Sequence, residues 1–183
     1  MGRANLTSAV VVAAAAELAD REGYDAVTLS ALARRFGVQT ASLYSHVRDR
    51  SSLLDGVHEL ALGELADRIA VAIGGRSGLD ALVALAETHR DYARRFPGRW
   101  TALQRPAAAS TVQSEAAARL VALMLAMLRG YRLPEAELVH ATRLLGATIN
   151  GFLALEANGS FGHRTPAGQV RRRGRQAGWS GSG

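Results

Sequence analysis

An all-α protein is predicted, and three observations carry the prediction. Proline is scarce, at 4 of 183 residues, while alanine, the best helix former, is abundant. Apolar residues recur at intervals of three and four along most of the chain, the spacing of a buried helical face. Between Thr28 and Arg50, two short helical patterns meet at a tight turn, the outline of a helix-turn-helix. The expected architecture is a three-helix helix-turn-helix domain over residues 1–50, joined by one long helix to a helical bundle domain over residues 51–162.

Residues 1–6 read as an arm. Thr7 or Ser8 caps a first helix that buries Val11, Ala14, Ala15 and Leu18 and ends at Gly23. The apolar run Ala9–Ala16 behind Arg3 has the outline of a signal peptide. It is short and mostly Ala, however, and its helical period continues through Glu17–Gly23, so a helix is expected. Tyr24–Val27 is a link. Leu29, Leu32, Ala33 and Phe36 then mark a buried face, with Thr28 as N-cap and Gly37 suited to the left-handed conformation that ends a helix. A second helix is expected from about Thr40 to Val47. Leu43 and Val47 turn inward, and the remaining positions are small or hydrogen-bonding.

Asp49 caps the long helix, in which Leu54, Val57, Ala61, Leu65 and Ile69 keep the period until Gly74-Gly75. About 24 residues of helix span roughly 36 Å. Leu79, Leu82, Val83, Ala86, Ala93 and Phe96 make the next helix, stopped by Pro97-Gly98. A short piece at Arg99–Gln104 and a loop at Arg105–Ser110 follow. Another helix carries Leu120, Leu123, Met124, Met127 and Leu128 and closes at Gly130. Pro134 opens the last helix, where Leu138, Ala141, Leu145, Thr148, Phe152 and Leu155 form a seam of heptad type, with Gly146, Ala147 and Gly151 as small neighbours. Such a seam serves either an internal core or a second subunit. The second is preferred because DNA-reading helix-turn-helix proteins usually pair across a two-fold axis.

The net charge of +6 says little about partners. Residues 1–160 hold 17 Arg and 16 acids, and the remaining Arg residues stand at 164, 171, 172, 173 and 175. Residues 163–183 have no apolar period and read as a disordered basic tail. That tail either holds phosphates non-specifically or is the product of a shifted reading frame. Local charge is more telling: Arg34, Arg35, Arg48 and Arg50 surround the second short helix, opposed by Asp49.

Other chemistries find little support. With no cysteine there is no disulfide, thiolate or cysteine-based zinc site, which fits a reducing cytoplasm. The five His are scattered without metal spacing, and there is no G-x-S-x-G. Gly74–Gly78 resembles a phosphate loop in composition only. No stretch approaches the ~20 apolar residues of a membrane span. Neither enzyme, cofactor nor membrane is therefore expected.

The region 7–56 resembles the DNA-binding domain of the TetR/AcrR family of bacterial regulators. The resemblance rests on Ala16, Gly23, Ala26 and Thr28, then Leu32-Ala33, Gly37-Val38, Leu43-Tyr44, His46-Val47, and finally Arg50 with Leu53-Leu54. Further on, Tyr92, Phe96-Pro97-Gly98 and Trp100, with Ile149-Asn150-Gly151-Phe152, resemble a subtype named for a Trp-His-Gly motif. Ile and Asn replace its first two letters here. In that subtype one more amphipathic helix follows, which residues 163–183 do not resemble.

The resemblance implies a homodimeric repressor that binds a palindromic operator in double-stranded DNA and responds to a small-molecule effector. It lays base reading on Thr40, Ala41 and Ser42. The two hydroxyls donate or accept, and the Ala methyl meets a thymine methyl. Gln39, just before, is the residue able to make a bidentate base contact. Tyr44, His46 and Arg50 match phosphate-gripping positions, and Leu29 and Ser30 match two more at a helix N-terminus. Arg48 adds charge. For the effector, Arg90, Tyr92, Trp100, Met124, Met127, His140, Arg143, Asn150 and Phe152 are the candidate pocket residues. The alternative is a helical small-molecule-binding protein or enzyme that kept the fold without specific DNA binding.

Overall fold

The computed structural model describes residues 6–161, and the expectations for residues 1–5 and 163–183 lie outside them. Among the described residues the chain is all helix and turn, with no strand. Helix α1 (Ser8–Glu22) is capped by Thr7, whose hydroxyl accepts from the Val10 amide at 3.2 Å. Helix α2 (Leu29–Phe36) begins at Thr28, whose hydroxyl accepts from the Ala31 amide at 3.1 Å. It ends at Gly37, left-handed at φ 67°. A short 3-10 turn at Tyr24–Ala26 joins the two helices.

Helix α3 (Arg50–Ile73) has the expected 24 residues. Its start is a reciprocal cap: the Asp49 carboxylate accepts from the Ser52 amide at 2.7 Å, and the Ser52 hydroxyl accepts from the Asp49 amide at 3.0 Å. Helices α4 (Gly78–Arg95), α5 (Pro97–Leu103), α6 (Ala109–Val112), α7 (Glu115–Arg129) and α8 (Glu135–Ala157) complete the order.

The structure differs from the sequence-based expectations at three places. The segment Thr40–Ser45 is a 3-10 turn rather than an α-helix reaching Val47. It lacks a side-chain cap, and its Thr and Ser residues are weak helix formers. Pro97 opens α5 instead of merely stopping α4, since the first position of a helix needs no N–H. Residues 109–112, expected to lie in and beyond a loop, wind into the single-turn α6. Helix α7 closes at Gly130 as expected, and the left-handed residue beyond it is Arg132 (φ 55°).

Two cores form, and α3 runs through both. The first joins Val11, Ala15 and Leu18 of α1, Leu32 of α2, Leu43 and Val47 to Leu53 and Val57 of α3 and Ala102 of α5. The second packs Ala61, Leu65 and Ile69 of α3 against Leu85 and Tyr92 of α4, Trp100 of α5, and Ile149 and Leu153 of α8. One rigid element thus belongs to the helix-turn-helix unit at its start and to the bundle further along. Short α5 straddles the same divide, with Ala102 in the first core and Trp100 in the second.

Helix α8 also departs from expectation. By length and composition alone its 23 residues are long and apolar enough to cross a membrane, whereas the sequence predicts no such stretch. Its buried edge is Leu138, Ile149 and Leu153, with Leu145 packed beside them. The heptad seam therefore splits: Leu138 faces inward, whereas Thr148, Phe152 and Leu155 are exposed.

Candidate nucleic-acid interface

The Thr40–Ser45 turn is anchored from below and open above. Leu43 is fully buried and Val47 nearly so, while Ala41, Ser42 and Tyr44 are exposed, Tyr44 by 55%. Backbone bonds from the Ser42 amide to the Gln39 carbonyl (3.0 Å) and from the His46 amide to the Leu43 carbonyl (2.9 Å) fix its curvature. The Ser45 hydroxyl donates to the Ser42 carbonyl at 2.9 Å. From α1, the Ser8 hydroxyl donates to the His46 carbonyl at 2.9 Å and ties down the end of the turn. Gln39 is exposed at the start, and Thr40 and His46 are half-buried.

The flanking side chains divide by what already holds them. Ser30 stands exposed in the first turn of α2, whereas the Leu29 side chain is buried, leaving only its backbone to face an anion. Arg35 is committed to Glu17 and the Ala14 carbonyl. Arg34 is exposed and has no ion-pair partner among the described residues. Arg48 is highly exposed and touches Asp49 at 3.2 Å. That carboxylate is held below its ordinary pKa first by the Ser52 amide and then by Arg48.

Arg50 is deployed differently from a simple phosphate contact. Its Nε donates to the Val27 carbonyl at 2.7 Å and an Nη to the Asp25 carbonyl at 3.4 Å, so the guanidinium clasps the link before α2. The other Nη has no protein partner among the described residues.

This is a solvent-facing turn bounded by hydrogen-bonding side chains and arginines on a three-helix base, and the region that carries it matches a known family. A model described as bacterial regulatory proteins, tetR family, matches residues 11–57. One described as Tetracyclin repressor-like, C-terminal domain, matches residues 82–174. The uncharacterized HTH-type transcriptional regulator YobS of Bacillus subtilis (strain 168) is 33% identical over 161 residues, covering 87% of this chain and 83% of that one. The uncharacterized HTH-type transcriptional regulator Rv0681 of Mycobacterium tuberculosis is 31% identical over 158 residues, covering 85% and 72%.

The chain belongs to the TetR family. It is a DNA-binding transcriptional regulator. Its fold is that of BioQ as solved with its double-stranded DNA operator, with TM-score 0.66, 19% identity, and 87% of this chain and 90% of that one covered.

In this TetR-family regulator the candidate pocket residues do not converge on one cavity. Arg90 and Trp100 line a groove of about 340 Å³ between α4, α5 and α8, and Arg90 and Phe152 line a neighbouring one of about 310 Å³. Leu153 is shared by both. Arg90 is bound to Glu156, which also accepts from Arg94 at 3.0 Å. Arg90 in turn holds the Glu156 carboxyl below the usual range.

Tyr92 is buried but also borders a third groove, of about 400 Å³ between α3 and α4, whereas Met124 is a core residue and Met127 packs half-buried against the second core. The Tyr92 hydroxyl is spent on Glu64 at 2.9 Å, and burial pushes its pKa up. His140 and Arg143 are corrected more strongly: both are exposed on α8, because that helix buries the edge carrying Leu138, Ile149 and Leu153. Asn150 is half-buried beside them.

Sequence reasoning missed the polar cluster of Asp20, Glu64 and Arg99. No local signal reveals it, since Asp20 and Arg99 are 79 residues apart.

Proposed function

We propose that this regulator is a ligand-responsive repressor that binds a palindromic operator as a homodimer in the cytoplasm. The observation that carries the reading is the exposed Thr40–Ser45 turn, held by buried Leu43 and Val47 while Ala41, Ser42 and Tyr44 face outward. Gln39, Thr40, Ala41 and Ser42 read base edges in the major groove. Ser30, Tyr44, His46 and Arg48 hold phosphates, with the Leu29 amide and the remaining Nη of Arg50 in support.

Pairing runs through the outer face of α8. Leu144, Ala147, Gly151 and Leu155 lie on one side of that helix and are exposed, Leu144 by 70%. A Cβ added at Gly151 would meet nothing within 4 Å, so a second helix has room to approach. Two recognition turns related by the dyad meet half-sites about 34–36 Å apart, or a multiple of that. The effector enters the grooves that share Arg90 and Leu153, and acts by preferring one orientation of the reading units over another.

The test is competition binding to the DNA upstream of the gene, with excess non-specific DNA, and light scattering of the protein alone and on DNA. Two chains per fragment and retention under competition are expected. A single chain at micromolar concentration, or equal loss to any competitor, contradicts the reading.

A further inference from the structure

Helix α5 begins without a cap of its own. Its N-cap position is Phe96, which offers no side-chain acceptor, and Pro97 supplies no N–H. The acceptor comes from α1: the Asp20 carboxylate accepts from the Arg99 amide at 3.0 Å, the third position of α5, where a capping oxygen usually binds. Its other oxygen lies 3.1 Å from Arg99 Nε. The two side chains are only 12% and 13% exposed, and Arg99 reaches onward to both oxygens of Glu64 on α3 at 3.0–3.1 Å.

The backbones meet at the same place. A Cβ built on Gly98 would stand 2.1 Å from the Ala19 carbonyl carbon and 2.2 Å from its oxygen, so no other residue fits without moving α5 off α1. The Phe96 ring takes two guanidiniums, Arg99 at 4.7 Å and Arg68 at 4.9 Å. The start of α5 is thereby clamped to α1, α3 and α4 at once. Trp100, the next residue, lines the groove that Arg90 shares.

We propose that Asp20 is a positioning residue: by capping α5 from α1 and pairing with Arg99, it latches the helix-turn-helix unit onto the bundle and sets the angle at which the recognition turn is presented. It touches no DNA, yet operator affinity depends on it. Breaking the latch frees the reading unit to tilt about α3 without unfolding it.

The chain has no cysteine, so spin labels can be placed cleanly at Ser30→Cys on α2 and Glu87→Cys on α4, both exposed. Electron-spin distance measurement on labelled chains diluted with unlabelled protein reads the angle within one subunit, whatever its oligomeric state. A narrow distribution is expected for the parent, a broadened or shifted one for Asp20→Ala and Arg99→Ala, and a narrower one for Asp20→Asn than for Asp20→Ala, because Asn keeps the capping oxygen. Affinity for DNA selected by the parent protein should fall about tenfold in Asp20→Ala, while amide exchange protection of α2 stays as before. Distributions identical to the parent overturn the proposal. So does loss of α2 protection in Asp20→Ala, which would make Asp20 a residue of the unit's own fold.

Discussion

Two arginines two residues apart carry different duties. Arg48 points into solvent with Asp49 beside it, whereas Arg50 spends its Nε and one Nη on loop carbonyls. Removing one phosphate contact lowers the slope of log affinity against log salt by about 0.9. Arg48→Ala should show that decrement with its thermal midpoint intact. Arg50→Ala should chiefly lower stability, by about 1 kcal/mol, as expected for hydrogen bonds lost from a charged donor. Salt titration by fluorescence anisotropy and thermal melts of both variants separate the duties.

Buried histidines give a pH test at the same scale. Burial lowers the pKa of both His58 and His89, and the Nδ1 of His89 contacts the Leu85 carbonyl at 2.8 Å. Below the ordinary His value of about 6.5 the unfolded chain binds protons that the folded chain refuses. That stability is therefore complete above about pH 6.5 and is lost as pH falls through the folded values. The melting temperature should drop from about pH 7 to about pH 5, and His89→Gln should shrink the drop. An unchanged slope would remove His89 from the account.

At the scale of elements, local chemistry decides how much a sequence discloses. Thr28, Gly37 and Asp49 each act on a backbone within a few residues, and each sits where its residue type announces it. Thr28→Ala should cost about 1 kcal/mol by loss of the cap. The Thr40–Ser45 turn falls where the sequence predicts a helix but differs in kind, since it lacks a side-chain cap and its Thr and Ser residues are weak helix formers. Asp20 was invisible for the opposite reason: its partner on α5 exists only once two helices have packed. Gly98→Ala tests that contact. It should destabilise the chain by about 3 kcal/mol, as strong overpacking does, and a melt near that of the parent would contradict the close approach.

For the whole molecule, α8 shows where a pattern of apolar residues stops being informative. Apolar side chains occur on nearly every side of it, so the spacing could not separate the edge buried in one subunit from the face left outside. Spacing alone admits His140 and Arg143 as pocket residues, whereas the structure turns them out. The exposed line of Leu144, Ala147, Gly151 and Leu155 is the proposed dimer face, and Leu144→Glu should convert a dimer to a monomer by light scattering while the helical content of the chain is kept.

The proposed function stands or falls with the Thr40–Ser45 turn as the reader of DNA sequence. Selection of binding sites from random duplexes, by the parent and by a Gln39→Ala, Thr40→Ala, Ser42→Ala variant, tests it most directly. The parent should enrich a palindromic pair of half-sites. The variant should bind with a similar salt dependence but lose preference at defined positions in each half-site. Recovery of the same sequence by both proteins would contradict the claim.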